Sequence, residues 1–167
     1  LKSMDGVIPK FGIGTIRINS DTLRYHRDGD RLRRDRVPTD DDGRYVGFVM
    51  VFSTETGELL MIYPDGAQSK RVASIAALGI RHVGRRQSGT VALIGTGVQA
   101  RAQIEAAKAV MEIEAMRVFS TSQERRETFA GVMAQRHGLD IQPRASAEES
   151  VAGADVVLCA TNSRGHV

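Results

Sequence analysis

The clearest chemical pattern in the chain is a pair of glycines between two apolar segments. The run Val91–Ile94 predicts a short buried strand, and the alanine-rich run Val98–Val110 predicts a helix. Gly95, Gly97 and Ala100 lie at this junction with the spacing of the dinucleotide-binding fingerprint, with alanine in the third place. The pattern predicts a turn that holds the pyrophosphate of a nucleotide.

Each position of this turn has a physical reason. Gly95 permits the tight turn from strand to helix, Gly97 lets a phosphate approach the backbone, and Ala100 allows close packing. The start of the helix offers free N–H groups and a partial positive charge. The alternative is a tight turn that binds nothing. The predicted cofactor-binding residues of the turn are Gly95, Thr96, Gly97, Val98, Gln99 and Ala100.

The residues after the second strand bear on the choice of dinucleotide. NAD-specific sites place a carboxylate there, about 20 residues beyond the glycines, to bind the ribose 2′-hydroxyl. This chain has Ser120, Thr121 and Ser122 instead, followed by Arg125 and Arg126, of which Arg125 is the predicted cofactor-binding residue. Hydroxyls and a nearby guanidinium suit a 2′-phosphate, so the sequence favours NADP over NAD. The alternative for Arg125 is a solvated helix residue.

The second half of the chain alternates between strand and helix patterns. Strands are predicted at residues 91–94, 116–120, 141–145 and 154–160, and this alternation is typical of a parallel sheet that binds ligands at its carboxyl edge. Four strands correspond to the first part of a Rossmann-type domain, so we expect a piece of a longer protein. The polar residues Thr161, Asn162 and Ser163 follow the fourth strand, where a nicotinamide ribose would lie; they could equally form a plain polar loop.

The first half is predicted to be rich in strands. Alternation in residues 11–19 places Arg17 on the polar side of a strand, where it is either solvated or part of an anion site. Two apolar runs, residues 45–53 and 58–63, flank a glycine-containing turn and predict an antiparallel hairpin.

Two other segments of the first half have distinct compositions. Residues 28–44 are rich in arginine and aspartate and are predicted to be a solvated connection between strands. Residues 67–86 have helical periodicity, with an apolar stripe of Val72, Ile75, Ala76, Gly79 and Val83.

Composition excludes several classes of protein. The 41% hydrophobic content is ordinary for a globular domain, and no apolar run approaches the roughly 20 residues of a membrane span. The net charge of +3 is small and lacks a basic face with aromatic residues, so neither nucleic acid nor membrane is an expected partner. Four scattered histidines show no metal-ligand spacing.

The single cysteine, Cys159, is expected to be a buried, inert thiol in a cytoplasmic protein.

Six segments together resemble the ornithine cyclodeaminase/mu-crystallin family, in the family's order along nearly the whole chain. They are Phe11-Gly-Ile-Gly-Thr-Ile-Arg-Ile-Asn19, Phe52-Ser-Thr-Glu-Thr-Gly-Glu-Leu-Leu60, Tyr63-Pro-Asp-Gly66, Arg71-Val-Ala-Ser-Ile-Ala-Ala77, Ile94-Gly-Thr-Gly-Val-Gln-Ala100 and Gly153-Ala-Asp-Val-Val-Leu-Cys-Ala-Thr-Asn-Ser163. The order of a β-rich segment, an arginine-bearing helix and a glycine turn is more specific than the turn alone.

The resemblance implies two domains. Residues 1–87 would be a β-rich α+β substrate and dimerisation domain ending in an interdomain helix, and residues 88–167 an NAD(P)-binding Rossmann domain, both partial. It also implies a homodimer and a substrate carboxylate held by basic residues. Arg71 matches the family arginine of the helix, and a guanidinium suits a carboxylate because it can bind it bidentately. Arg17 falls where the family commonly has a lysine. An arginine there can bind or polarise the substrate but cannot shuttle protons.

The resemblance implies hydride transfer at the Cα of an amino acid or a cyclic imino acid, by a cyclodeaminase (a lyase) or by a ketimine or pyrroline-2-carboxylate reductase. The departure at Arg17 tilts the prediction slightly away from ornithine. The family's assisting aspartate would lie beyond Val167, so no catalytic residue is assigned. One alternative is a non-catalytic, NADPH-dependent binding protein of mu-crystallin type; a weaker one is an oligomeric structural protein with a vestigial site.

Overall fold

The computed structural model of the protein describes residues 2–19, 22–28, 31–37, 47–66 and 68–161. The backbone divides into two compact units, Leu1–Ala67 and Gln68–Val167. Among the described residues, the first unit has two sheets and the second unit has one.

The first unit consists of antiparallel strands. A four-stranded sheet has the order β1-β2-β5-β6, and a separate two-stranded sheet pairs β3 with β4. The strands are β1 (Lys2–Ile8), β2 (Ile13–Asn19), β3 (Thr22–Asp28), β4 (Arg31–Val37), β5 (Gly47–Ser53) and β6 (Leu59–Pro64).

The predicted hairpin of β5 and β6 is confirmed. Its turn is closed by the backbone N–H of Gly57, which donates to the carbonyl oxygen of Ser53 at 3.0 Å. Gly57 has a φ of 73°, a left-handed conformation that glycine adopts without the penalty of a Cβ atom. The Ser53 hydroxyl accepts the backbone N–H groups of Glu55 and Thr56, each at 3.2 Å.

The prediction that residues 28–44 form only a connection is wrong for its first part. Strand β4 occupies residues 31–37 and pairs with β3 in full register, from Thr22 opposite Val37 to Asp28 opposite Arg31. Charged residues obscured the strand because a two-stranded ribbon does not need the apolar alternation on which the sequence argument relied.

The second unit is a parallel sheet with helices, in the strand order β10-β7-β8-β9. Its elements are α1 (Gln68–Val83), β7 (Ser88–Ile94), α2 (Val98–Lys108), β8 (Glu112–Phe119), α3 (Gln123–His137), β9 (Ile141–Pro143), α4 (Ala147–Val151) and β10 (Val156–Cys159). The predicted alternation of strands and helices is therefore confirmed, as is the α/β class with an antiparallel β-rich part ahead of a parallel sheet.

One apolar cluster fills the space between this sheet and its helices. Alternate residues of β7, Val91 and Leu93, are fully buried in it, together with Ala100 and Ile104 of α2 and Met133 of α3. Because side chains alternate across a strand, these residues mark the face of the sheet that packs against α2 and α3.

Helix α1 buries a different stripe from the predicted one. Ala73 and Ile80 are its buried residues, whereas Ile75 and Val83 are 71% and 81% exposed. The buried stripe lies about 100° around the helix from the predicted stripe, which is one residue of rotation. The same helix was assigned to the end of the first predicted domain, but it packs with α2 in the second unit. The domain limits of the whole protein stay a prediction.

Among the described residues, none of the helices combines the length and the apolar character needed to cross a bilayer. Over the same residues there is no group of three or more histidine, cysteine, aspartate or glutamate side chains placed to hold a metal ion.

Candidate functional site

The glycine turn lies at the carboxyl edge of the parallel sheet, between β7 and α2. Gly95 has a φ of 111°, and its N–H donates to the carbonyl oxygen of Phe119 at 2.8 Å. A Cβ atom at Gly95 would lie 2.4 Å from the carbonyl oxygen of Ala160. The glycine is therefore required both by the backbone conformation and by the close approach of the chain that leaves β10.

Gly97 is a glycine for another reason. It is the N-cap residue of α2 in an extended conformation with φ −85°, and a Cβ atom built on it would meet nothing within 4 Å. Neither strain nor packing within the described residues therefore requires glycine here, and its lack of a side chain leaves the helix start open. Among the residues that the structure describes, no side chain caps α2, and no acidic residue lies in its first turn, as suits the binding of an anion by its N–H groups.

The rest of the fingerprint divides between packing and exposure. Ala100 is completely buried, in agreement with its predicted role in close helix–strand contact. Val98 is 73% exposed, and Thr96 and Gln99 are half-buried at the same turn. The side-chain oxygen Oε1 of Gln99 is shielded from solvent without a hydrogen-bond partner among the described residues.

The end of β8 carries the residues predicted to contact the adenosine ribose. Thr121 is exposed, Ser120 and Ser122 are half-buried, and the Ser122 hydroxyl caps α3 by accepting the backbone N–H of Arg125 at 3.4 Å. The Arg125 side chain is exposed. Arg126, which the sequence analysis did not select, is half-buried and donates from Nη1 to the carbonyl oxygen of Ser120 at 3.2 Å.

The structure brings three strand ends together at this edge. Ile94, Phe119 and Cys159 are level in the registers of β7, β8 and β10. Thr161 follows β10 and is exposed, and its backbone nitrogen would lie 3.2 Å from a Cβ atom on Gly95. Asn162 and Ser163 lie outside the described residues.

The expectation of a buried Cys159 is wrong: the side chain is exposed. In the register of β10 it is paired with Ile94, on the face opposite to the one that packs Leu158 into the apolar cluster. An apolar run in a parallel sheet indicates two covered faces, but among the described strands β10 is at the sheet edge and only one of its faces is covered.

The two predicted substrate-binding arginines have different surroundings. Arg17 is 9% exposed, and Nε donates to Oδ2 of Asp65 at 2.6 Å, while Nη2 lies 2.5 Å from the same oxygen. The Nη2 contact is short but is not aligned as a hydrogen bond, so it is a contact between charges. Arg71 lies in the first turn of α1 and is exposed.

The partner of Arg17 was missed by the sequence analysis. Asp65 belongs to the segment Tyr63-Pro-Asp-Gly66, where the neighbouring proline and glycine are typical of a turn and do not indicate an ion pair. Its side chain lies over Gly47, because a Cβ atom there would be 3.2 Å from the Asp65 Cβ. Asn19, two residues from Arg17 on the same strand face, is also buried, and its Oδ1 has no hydrogen-bond partner among the described residues. The sequence signal was incomplete: Asp65 directly follows the predicted hairpin of β5 and β6, but the pairing of β5 with β2, the strand of Arg17, is seen only in the structure.

These features define a class of protein. A parallel sheet in the order β10-β7-β8-β9 with a glycine turn at its carboxyl edge is the first part of a Rossmann-type domain. The sequence model of the ornithine cyclodeaminase/mu-crystallin family matches residues 38–167, and the chain belongs to this family.

Individual relatives agree with this assignment. The chain is 29% identical over 118 residues to a Delta(1)-pyrroline-2-carboxylate reductase of Bacillus cereus, covering 70% of this chain and 36% of the relative. It is 34% identical over 91 residues to an ornithine cyclodeaminase of Agrobacterium fabrum, covering 54% of this chain and 25% of the relative. The chain thus spans between a quarter and about a third of the length of these two relatives.

The same fold occurs in a solved structure. The Thermococcus litoralis Delta(1)-pyrroline-2-carboxylate reductase in complex with NADH and L-proline superposes with a TM-score of 0.65 at 21% identity, covering 97% of this chain and 51% of that protein. At this identity the likeness shows the fold.

Proposed function

We propose that the chain is part of an NAD(P)-dependent oxidoreductase that transfers hydride at the Cα of an amino acid or a cyclic imino acid. The observation that carries the proposal is Gly97: an uncapped helix start with open space where any other residue would place a side chain. Family membership supports it, because relatives are named as pyrroline-2-carboxylate reductases and as an ornithine cyclodeaminase.

The residues of the carboxyl edge fit a dinucleotide. The backbone N–H groups after Gly97 would bind the pyrophosphate, while Gly95 keeps the turn against the end of β10. Ser120, Thr121 and Ser122 would face the adenosine ribose, and Thr161, with Asn162 and Ser163, the nicotinamide ribose. The bound dinucleotide would accept or donate the hydride. We propose NADP as the preferred form, because no carboxylate follows β8 at residues 120–122.

The basic residues are proposed to orient the substrate. Arg71 is exposed and can offer a bidentate pair to a substrate carboxylate. Arg17 is already paired with Asp65, so it could bind a carboxylate only through donors that this contact does not use.

The test uses the full-length protein. With NADPH and pyrroline-2-carboxylate, we expect consumption of NADPH that depends on the imine. Ammonia release from ornithine without net cofactor change would assign cyclodeaminase activity instead.

Two matched variants separate binding from folding: Gly97→Asp places a carboxylate beside the pyrophosphate, and Gly131→Asp adds the same charge to α3, where a Cβ atom also has open space. We expect at least tenfold weaker NADPH binding for Gly97→Asp alone; equal effects of both variants would contradict the proposed site.

The second candidate function is an NADPH-dependent binding protein without turnover, of mu-crystallin type. It is favoured by Arg17, which replaces the family's lysine and is buried against Asp65, so that no proton shuttle is available at this position. NADPH binding without turnover of either substrate would support it.

A homodimer in the cytoplasm completes the proposal. All six residues of the edge strand β6 are exposed, including Leu60, Met61 and Ile62 at 53–56%. Unpaired apolar edge strands favour pairing with another chain. Light scattering of the full-length protein should give a dimer mass, and a monomer would refute it. The single cysteine fits a reducing compartment.

A further inference from the structure

The side chain of Arg126 occupies the carboxyl end of β8. Its Nη1 donates to the carbonyl oxygen of Ser120 at 3.2 Å, and the side chain is half-buried. Ser120 directly follows Phe119, whose carbonyl oxygen accepts the N–H of Gly95. The guanidinium group is therefore fixed one residue along the chain from the hydrogen bond that anchors the glycine turn.

The position of Arg126 in α3 explains this geometry. Arg126 is the fourth residue of the helix, whose N-cap is Ser122. Side chains of an α-helix lean toward its N-terminus, so a long side chain in the fourth position can reach back over the first turn to the strand end. Arg125 is one residue earlier, about 100° around the helix, and is exposed.

The charge of Arg126 is not neutralised within the described part of the chain. None of the ion pairs among the described residues includes it, and its partner at Ser120 is a neutral carbonyl group. The nearby Glu127 instead accepts a hydrogen bond from Gln123 at 2.8 Å. A guanidinium has five N–H donors, so the bond to Ser120 orients the group and leaves other donors for an anion.

We propose that Arg126, rather than Arg125, is the residue that selects NADP by binding the 2′-phosphate of its adenosine ribose. The proposal rests on the proposed dinucleotide site, because the end of the second strand is where Rossmann-type domains distinguish the 2′-phosphate from the 2′-hydroxyl. A fixed guanidinium suits this task because it can bind a phosphate bidentately with little further ordering. Arg125 would contribute only general positive charge.

The test measures the dissociation constants of NADPH and NADH by calorimetry for full-length wild type and three variants. Arg126→Gln and Arg125→Gln remove the same charge from adjacent positions, and Arg126→Lys keeps the charge but loses the planar fork. For Arg126→Gln we expect NADPH affinity to fall about 10- to 100-fold, as for loss of charge-assisted hydrogen bonds. NADH affinity should change less than about threefold, as for a removed surface charge. Arg125→Gln should change the affinities for NADPH and for NADH by less than about threefold each. The NADPH affinity of Arg126→Lys should lie between those of wild type and Arg126→Gln.

The outcomes separate the two proposals. If wild type binds neither nucleotide, the proposed function fails. If it binds both but Arg126→Gln weakens both equally, or if Arg125→Gln has the larger effect on NADPH, the role of Arg126 is overturned while the dinucleotide site stands. Tighter binding of NADH than of NADPH by wild type would also overturn it. Thermal melts of each variant establish that the comparison is made on folded protein.

Discussion

Two arginines illustrate how differently the two units use the same side chain. Arg17 of the first unit is 9% exposed and lies 2.6 Å from a carboxylate oxygen of Asp65. Arg126 of the second unit is half-buried and lies 3.2 Å from the backbone carbonyl oxygen of Ser120. The first partner is charged and the second is neutral.

The difference decides which cation is available to a ligand. A guanidinium paired with a buried carboxylate forms a neutral unit, and an incoming anion would have to compete with that carboxylate. A guanidinium held by a carbonyl group is also oriented, but that partner carries no opposing charge. In the proposed dinucleotide site, Arg126 is thus a cation without a charged partner among the described residues, whereas the charge of Arg17 is balanced by Asp65.

The largest expected effect on stability comes from removing the carboxylate of the buried Arg17–Asp65 pair. Asp65→Ala leaves the Arg17 charge buried without this carboxylate, so we expect the free energy of unfolding to fall by about 3–5 kcal/mol. Urea denaturation measures this change. The control is the double variant Arg17→Met with Asp65→Leu, which removes both charges and should recover much of the loss. A change below about 1 kcal/mol for Asp65→Ala would show that Arg17 is not confined by this carboxylate.

The second prediction separates the two glycines of the nucleotide turn. Gly95→Ala places a Cβ atom 2.4 Å from the Ala160 carbonyl oxygen at a φ of 111°, so we expect a loss of about 2–3 kcal/mol in the free energy of unfolding. Gly97→Ala meets nothing within 4 Å and should leave stability within about 0.5 kcal/mol. Equal losses of stability would mean that Gly97 is required by the fold, which would remove the main support for a ligand at this turn.

The smallest expected effect is a pH dependence of stability that involves neither Arg17 nor Arg126. Burial, with contributions from Arg136 and Lys108, lowers the pKa of His137 from 6.5, against an opposing influence of Glu105. The unfolded chain therefore binds a proton more readily than the folded one, and the free energy of unfolding should fall as pH drops below 6.5, until both states are protonated. Urea denaturation between about pH 5 and pH 8 should show this slope in wild type and a smaller one in His137→Gln. An identical slope in both proteins would assign the dependence to other groups.

The sequence alone determined the elements of the second unit and the location of its glycine turn. Buried parallel strands are continuous apolar runs. Gly95 serves the tight turn, Gly97 leaves the helix start open and Ala100 allows close packing, so their spacing carries the information. The hairpin of β5 and β6 was likewise readable from a turn between two apolar runs. Six segments in the family's order indicated the family, which the match over residues 38–167 confirms.

Only the tertiary structure decided which charged side chains have partners. Arg17 and Asp65 are 48 residues apart in sequence, and nothing local to either indicates that they meet. Arg126 and the predicted Arg125 are neighbours in sequence, and only the direction of α3 relative to β8 distinguishes them. The exposure of Cys159 and the buried stripe of α1 also depend on which face another element covers. Hydrophobic periodicity shows that a residue belongs to a face, but the packing of distant elements determines whether that face is buried and which charge remains available.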